Sequence, residues 1–302
     1  MGRAMIASPS PSPAPRPLGK SGLSVSPIAW GMWRFQGDDV AAAQALIEAA
    51  FAAGITLFDT ADIYGVDTDG FGAAEALLGR VLAAAPGLRA RMVLATKGGI
   101  VPGTPYDSSP DYLARALDAS LARLGLEQVD LWQIHRPDLL AHPQETARAL
   151  EDMMTSGKVR AIGVSNFTPA QVSALAAFLT VPLASTQPEF SPLHLDPITD
   201  GTLDQAMALD LAVLAWSPLG GGRLGHGGDA IGTLLAAQGE RFGVSAAAAT
   251  YSWLLAHPAR PIPIVGSQRP ERIAEAAHAF RVTWTRAEWY AVLQAATGTP
   301  LP

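Results

Sequence analysis

The chain has 302 residues, of which 49% are hydrophobic and 16% are charged, and its formal net charge is −6. This length and apolar content suffice for one large buried core, and the acidic balance argues against nucleic acid or an anionic membrane surface as a partner. Cysteine is absent, which excludes disulfides, thiolate catalysis and cysteine-ligated metals. We therefore expect a small-molecule ligand and no metal site.

The N-terminal segment is rich in Ser, Pro and Ala. It has no apolar stretch of the length that a signal peptide needs, so we predict a flexible arm over residues 1–16. Residues 18–25 carry glycines between apolar residues and predict a small hairpin that plugs one end of the fold. No run reaches the roughly 20 apolar residues of a membrane helix, and we expect a soluble, cytoplasmic protein.

Short apolar runs recur from residue 27 onward. They are apolar throughout and do not alternate between apolar and polar residues, which is typical of strands buried on both faces. Since helical segments separate them and no early Gly-x-Gly-x-x-Gly turn appears, they favour a single α/β domain over residues 17–302, a closed (β/α)8 TIM barrel, over a doubly wound sheet. The eight runs lie at about 27–31, 55–59, 92–97, 129–134, 159–164, 183–187, 211–216 and 262–265.

Helix signals punctuate the intervals between these runs. Capping and stop residues predict helices over 40–53 and 110–124, and a further helix that begins near 144 and ends at Gly157. Capping-box patterns at Thr168 and Thr285 predict two more helix starts, of which the second opens a C-terminal helix.

Polar side chains stand at the ends of three of the predicted strands. Asp59, Lys97 and His135 are spaced by 38 residues each, and Tyr64 follows the first strand by one short loop. A constant step of this size is typical of successive strand–helix units. In parallel strands it brings the four side chains to one rim, at the carboxyl ends of the strands.

The segments around these strand ends resemble, in order, those of the aldo-keto reductase family. Residues 54–65 are similar to the family's Asp and Tyr signature, and Lys97 and His135 fall at its Lys and His positions. The resemblance covers about residues 17–302 and is strongest toward bacterial general oxidoreductases. Further segments that resemble the family's cofactor-binding loops are 162–167, 187–191, 216–220 and 264–267.

The resemblance implies that an aldehyde or ketone is reduced with a nicotinamide cofactor, because no side chain donates hydride. Tyr64 would be the proton donor, and Lys97 would stabilise its phenolate and so tune its pKa. Asp59 would hold the charge of Lys97 in a half-buried site. His135, by the same resemblance, would orient the substrate carbonyl.

The resemblance also implies a cofactor site along the rim. Ser165, Asn166 and Gln187 would meet the carboxamide, and Trp216 would face the nicotinamide ring. A glycine-rich loop after Trp216 is typical of a pyrophosphate site. The predicted set is Met32, Ser165, Asn166, Gln187, Trp216, Ser217, Leu219, Gly221, Arg223, Gly266, Ser267, Gln268, Arg272 and Glu275.

The choice of cofactor depends on the segment 266–272. Two arginines near a helix start favour the 2′-phosphate of NADPH. Many family members carry lysine where this chain has Gly266, so NADH stays possible. Trp33, Ile63 and Pro137 are expected to line an apolar substrate pocket.

Two alternatives stay open. Lys97 could instead form a Schiff base in a lyase on the same fold. The chain could also be a nucleotide-binding auxiliary or sensor protein with weak turnover. Taken singly, Asp59, Tyr64 and Lys97 have ordinary structural explanations as cap, packing residue and solvated tip. Their joint occurrence favours the reductase, which we expect to be a monomer or a weak homo-oligomer.

Overall fold

Eight parallel strands close into a barrel in this computed structural model, which describes residues 11–225 and 229–300. Each predicted run overlaps one barrel strand. Two short antiparallel strands precede them, β1 (Arg16–Pro17) and β2 (Ser24–Val25). The barrel strands are β3 (Ala29–Gly31), β4 (Leu57–Asp59), β5 (Val93–Gly98), β6 (Val129–Ile134), β7 (Val159–Ser165), β8 (Ser185–Gln187), β9 (Ala212–Ala215) and β10 (Ile262–Val265). They neighbour one another in chain order, and β10 pairs with β3 to close the ring.

The hairpin formed by β1 and β2 plugs the end of the barrel at which the strands begin, as predicted. Leu18, Leu23 and Val25 are buried in one apolar cluster with inward-facing side chains of the barrel strands. Arg16, which we had assigned to the arm, is the first residue of β1. The first ten residues of that arm lie outside the described part of the chain, so its extent stays a prediction.

The helices surround the barrel, and four of them begin at the capping residues that the sequence indicates. Asp39 and Ser109 cap α1 and α3, and both capping boxes are present, at Thr168 and Thr285. The helices are α1 (Val40–Ala52), α2 (Ala73–Ala84), α3 (Pro110–Leu124), α4 (Pro143–Thr155), α5 (Pro169–Ala176), α6 (Asp196–Thr199), α7 (Thr202–Leu209), α8 (Ala230–Arg241), α9 (Ala246–Leu255), α10 (Pro270–Ala276) and α11 (Arg286–Thr297).

The C-terminal helix α11 is attached to α9 by a pair of tryptophans. The rings of Trp253 and Trp289 are stacked with their centroids 4.7 Å apart, and each indole N–H donates to the backbone carbonyl of the other residue at 3.0 Å. Within residues 11–225 and 229–300, no helix is both long and apolar enough to cross a bilayer. The same ranges contain no group of His, Asp and Glu residues that could hold a metal ion.

Candidate active site

Strands β4, β5 and β6 deliver the three predicted polar residues to one rim of the barrel. Asp59 ends β4, Lys97 is the penultimate residue of β5, and His135 directly follows β6. The Lys97 ammonium donates to Asp59 Oδ2 at 2.6 Å and to the carbonyl oxygen of Thr60 at 2.8 Å. Since Lys97 is 0% exposed and Asp59 2% exposed, this ion pair is shielded from water.

The ion pair decides the charge state of Lys97. Burial lowers the pKa of the ammonium, but Asp59 and Tyr64 raise it by more, so that its pKa lies above the ordinary value. Lys97 is therefore positively charged at neutral pH, as the sequence argument required of a lysine beside a carboxylate.

The second oxygen of Asp59 accepts hydrogen bonds from two buried amides that belong to other strands. Gln187 Nε2 donates to Asp59 Oδ1 at 3.0 Å, and Gln133 Nε2 donates to it at 3.5 Å. Ser185 Oγ in turn donates to Gln133 Oε1 at 3.1 Å. We did not predict Gln133, although its polar side chain within the buried run of β6 was an available signal. Asp59 thus connects residues of four strands.

Tyr64 lies against the charged pair and against two further rings. Its ring centroid is 5.0 Å from Lys97 Nζ, 5.0 Å from the ring centroid of Trp33 and 5.8 Å from that of His135. Burial raises the pKa of the phenol, and the charge of Lys97 offsets only part of this rise. The pKa therefore remains above 10.0. Tyr64 is accordingly a neutral phenol, able to donate a hydrogen bond, at every pH near 7.

His135 is a neutral imidazole in this site. Burial lowers its pKa well below 6.5, and the positive charges of Lys97 and Arg136 lower it further. Its Nδ1 is buried without a hydrogen-bond partner, while its backbone is fixed by bonds to Gly98 and Asn166. A neutral ring that is held by its backbone can donate to or accept from an oxygen of a bound molecule.

Asp62 is a buried carboxyl group that the sequence argument missed. It is 1% exposed, and neither carboxyl oxygen has a hydrogen-bond partner. Burial raises its pKa to about 8, and the nearby carboxylate of Glu75 contributes to this rise. Glu75 is itself paired with Arg123 at 2.7 Å. Asp62 therefore carries a proton in much of the folded protein at neutral pH.

The predicted substrate pocket has an aromatic residue at its mouth. Trp33 is 51% exposed and stands edge-on to the Tyr64 ring, with an interplanar angle of 87°. Pro137 is half-buried beside His135, whereas Ile63 is 8% exposed and packs with Tyr64 and Ala74. Ile63 is thus part of a buried cluster with Tyr64, and Trp33 is the most accessible of the three.

Four of the predicted cofactor residues meet at the adjoining part of the rim, where they hydrogen-bond to one another. Trp216 Nε1 donates to Asn166 Oδ1 at 3.0 Å, and Asn166 Nδ2 donates to Ser165 Oγ at 2.8 Å. Ser165 Oγ donates to the carbonyl oxygen of Gln187 at 2.9 Å. The side-chain amides of Asn166 and Gln187 are thus oriented toward protein partners, which leaves the half-exposed ring of Trp216 as the accessible surface.

The loop that follows Trp216 has an unusual backbone. Ser217 has a φ of 50°, and the next three glycines, 220 to 222, all have positive φ. A side chain at Gly221 or Gly222 would meet no atom within 4 Å, so both backbones border open space. Arg223 donates to the Gly220 carbonyl at 2.9 Å and keeps the turn closed, and Leu219 is half-buried beneath it. This arrangement is suited to backbone N–H contacts with phosphate.

The segment after β10 contains a polar atom without a partner. Gln268 Nε2 donates to the Gly31 carbonyl at 3.4 Å, whereas Gln268 Oε1 is buried and unpartnered. Arg269 is ion-paired with Glu271 at 2.5 Å. Arg272 is exposed, and its guanidinium forms no ion pair or hydrogen bond among the described residues.

The remaining predicted contacts differ in accessibility. Gly266, Ser267 and Glu275 are half-buried beside this segment, and Ser267 Oγ accepts from the Arg269 N–H at 3.2 Å. Met32 is 0% exposed within the core, so its side chain is less accessible than the sequence suggested. A cofactor contact of Met32 stays a prediction.

The chain is similar to a known family and to proteins of named activity. The model of the aldo/keto reductase family matches residues 27–296. A 6-dehydroglucose reductase from Novosphingobium aromaticivorans is 59% identical over 95% of this chain and 97% of its own length. A second 6-dehydroglucose reductase, from Agrobacterium fabrum, is 43% identical over 91% of this chain and 96% of its own length.

A solved structure agrees with the fold over nearly the whole chain. The glycerol dehydrogenase from Gluconobacter oxydans superposes with a TM-score of 0.82 at 27% identity, covering 96% of this chain and 98% of its own. With the family model matched over most of the chain and two reductases similar over nearly their full lengths, the chain belongs to the aldo/keto reductase family of carbonyl-reducing oxidoreductases.

Proposed function

We propose that the protein is an NADPH-dependent reductase that converts an aldehyde to an alcohol, with Tyr64 as the general acid. The observation that carries the proposal is the contact between Tyr64 and the buried Lys97–Asp59 pair. The family generally uses NADH or NADPH, and our preference for NADPH rests on Arg272, whose guanidinium is unpaired among the described residues.

The residues of the rim fit a nicotinamide dinucleotide. The half-exposed Trp216 ring suits a flat aromatic group, the open backbone at Gly221 and Gly222 suits a pyrophosphate, and the unpartnered Gln268 Oε1 can accept a hydrogen bond. Arg272 would bind a 2′-phosphate. When bound, the cofactor would supply the hydride.

The protein's own part in the reaction is to deliver one proton and to stabilise the charge that this leaves. Tyr64 is protonated at neutral pH because burial raises its pKa, so it can donate to a carbonyl oxygen. The fixed charge of Lys97 then stabilises the phenolate that forms, and Asp59 keeps Lys97 charged throughout. The neutral His135 would donate a hydrogen bond to the same carbonyl oxygen and so orient it.

The similarity to two 6-dehydroglucose reductases supports a hydroxylated aldehyde as the substrate. An aldehyde of this kind has one reacting carbonyl and several hydroxyl groups beside it. The edge-on Trp33 and the half-buried Pro137 would bound such a molecule on its apolar faces.

The two alternatives have less support. A Schiff-base lyase requires a neutral lysine amine, whereas the partners of Lys97 raise its pKa and keep it protonated. A binding or sensor protein requires the cofactor site without effective chemistry, and it becomes the preferred interpretation if the protein binds NADPH but reduces no aldehyde.

The decisive variant is Tyr64→Phe, which removes the hydroxyl and keeps the ring that contacts Trp33 and His135. We expect kcat for aldehyde reduction to fall by at least about a hundredfold, the usual contribution of general acid catalysis. The affinity for NADPH, measured by quenching of protein fluorescence, should be unchanged.

Tyr290→Phe is the matched control, because Tyr290 is on the outer helix α11 and is 39% exposed. It should retain wild-type kcat. Turnover by Tyr64→Phe at the wild-type rate would reject Tyr64 as the proton donor, and wild-type protein that turned over no aldehyde would reject the reductase itself.

A further inference from the structure

Arg136 is a charged residue of the rim that the proposed reaction does not use. It directly follows His135, is half-buried, and its guanidinium carbon lies 5.8 Å from the centroid of the Trp216 ring. It is thus next to both the orienting histidine and the accessible aromatic surface of the site. Nothing in the proton transfer from Tyr64 requires a second cation there.

Arg136 has no counter-ion in the part of the chain that the structure describes. None of the ion pairs between described residues includes it, and none of their side-chain hydrogen bonds starts from it. The carboxylate of Asp138, two residues further on, accepts instead from the backbone N–H groups of Ser108 and Leu140, at 2.9 Å each. The guanidinium therefore keeps its donors for another partner.

The charge of Arg136 acts on the reacting side chains. After burial and Lys97, it is a further cause that lowers the pKa of His135, and it also lowers the pKa of Tyr64. Both effects indicate that the guanidinium is within electrostatic range of the two side chains. A partly buried cation that lacks a partner is stabilised when an oxygen atom of a bound molecule accepts its hydrogen bonds.

We propose that Arg136 determines substrate specificity by binding the hydroxyl oxygens on the carbons next to the reacting carbonyl. The planar guanidinium presents donors in pairs, which suits two neighbouring hydroxyl groups. This inference rests on the proposed carbonyl reduction and narrows its substrate to aldehydes with hydroxyl groups near the reacting carbon. An aldehyde without such groups would gain nothing from Arg136.

The test compares two three-carbon aldehydes, D-glyceraldehyde and propanal, which differ in their hydroxyl groups. Arg136→Met removes the donors and keeps most of the side chain's length. We expect kcat/KM for D-glyceraldehyde to fall about tenfold or more, mainly through KM, because a hydrogen bond to a charged group is lost. The value for propanal should fall much less, because propanal loses only the charge effect on Tyr64 and His135 and no hydrogen bond to a hydroxyl group.

Two companion variants complete the experiment. Arg136→Lys keeps the charge without the paired donors and should recover part of the preference for D-glyceraldehyde. Arg148→Met replaces an exposed arginine of α4 and should leave both aldehydes unaffected. The Kd of NADPH, read from fluorescence quenching, should be the same in all four proteins.

Each other outcome has a definite meaning. An equal loss for both aldehydes would show that Arg136 acts through the protonation of Tyr64 and His135 and not through a substrate hydroxyl, which overturns the inference. A weaker Kd for NADPH would make Arg136 a cofactor residue, which overturns it as well. An unchanged preference in Arg136→Met, with both aldehydes still reduced, overturns the inference and leaves the reductase intact. A wild-type protein that reduces neither aldehyde rejects the proposed function instead.

Discussion

Individual buried charges in this protein differ in how they are stabilised. Lys97 and Asp59 neutralise each other at 2.6 Å, and a backbone carbonyl satisfies a second donor of the ammonium. Asp62, three residues away in sequence from Asp59, has no partner for either oxygen. Burial of a single unpartnered carboxylate costs several kcal/mol, so the group remains protonated in the folded state instead.

The buried Asp62 predicts a pH dependence of stability. Its pKa is about 8 in the folded protein against an ordinary value of 3.8, so the folded state binds an additional proton between these values. The free energy of unfolding must therefore fall as pH rises from about 4 to 8, by up to about 1.4 kcal/mol per pH unit for this one group. Asp62→Asn removes the titration.

Urea unfolding of Asp62→Asn and wild-type protein at pH 5, 6, 7 and 8 tests this. We expect the stability of the variant relative to wild type to increase with pH. Asp67→Asn, an exposed position in the same loop, should show no such trend. A difference between Asp62→Asn and wild type that is constant over this range would mean that Asp62 is ionised in the folded protein.

Several helices were predictable from local signals in the sequence. Asp39, Ser109, Thr168 and Thr285 cap their helices with side-chain oxygens, as the sequence indicated. Helices α2 and α7 were not identified, because each follows a glycine with positive φ that provides no side-chain cap. Helix α8 was also missed, although the side chain of Asp229 caps it. Three barrel strands span only three residues each, fewer than their apolar runs suggest.

The hairpin that plugs the barrel predicts a contrast between two of its glycines. Both have positive φ, 52° at Gly19 and 76° at Gly22. An added Cβ at Gly19 would lie 2.4 Å from the carbonyl oxygen of Ala184, whereas at Gly22 it would meet nothing within 4 Å. Gly22→Ala should cost about 1 kcal/mol of unfolding free energy from the left-handed backbone alone.

Gly19→Ala should cost appreciably more, because the hairpin must also move away from the backbone beside β8. The measurement is the urea midpoint of the two single variants under one condition. Similar midpoints for both variants would show that the hairpin can shift without a loss of stability. The hairpin would then contribute little to the packing at this end of the barrel.

At the scale of the whole molecule, the regular succession of strands and helices made it predictable that Asp59, Lys97 and His135 meet at one rim. The 38-residue steps from Asp59 to Lys97 and from Lys97 to His135 correspond to adjacent strands of one barrel. Gln133 and Asp62 were not predicted, because their hydrogen bonds and protonation depend on which buried atoms face them. That property is set by the register between strands and by loop geometry, neither of which follows from the spacing along the chain.

Cofactor binding should stabilise the entire fold, since only the folded barrel assembles the rim. NADPH at a hundred times its Kd should add about 2.7 kcal/mol to the free energy of unfolding. If Arg272 binds the 2′-phosphate, Arg272→Ala should lose much of this stabilisation with NADPH and little with NADH. Thermal unfolding with each nucleotide measures both effects.

Arg281→Ala is the control, because Arg281 is exposed and lies beyond the end of α10. It should retain the wild-type response to both nucleotides. Equal losses for NADPH and NADH in Arg272→Ala would remove the reason for assigning NADPH.

Asp59 links the candidate active site to the closure of the barrel. One oxygen holds the ammonium of Lys97, and the other accepts from Gln187 across the ring and from Gln133. A substitution at Asp59 would thus leave amide donors and a cation unsatisfied at once, and loss of activity there would report unfolding as much as catalysis. Tyr64, in contrast, joins no strands of the barrel in this way. On the proposed mechanism, a substitution of its hydroxyl would abolish the reaction and leave the protein folded.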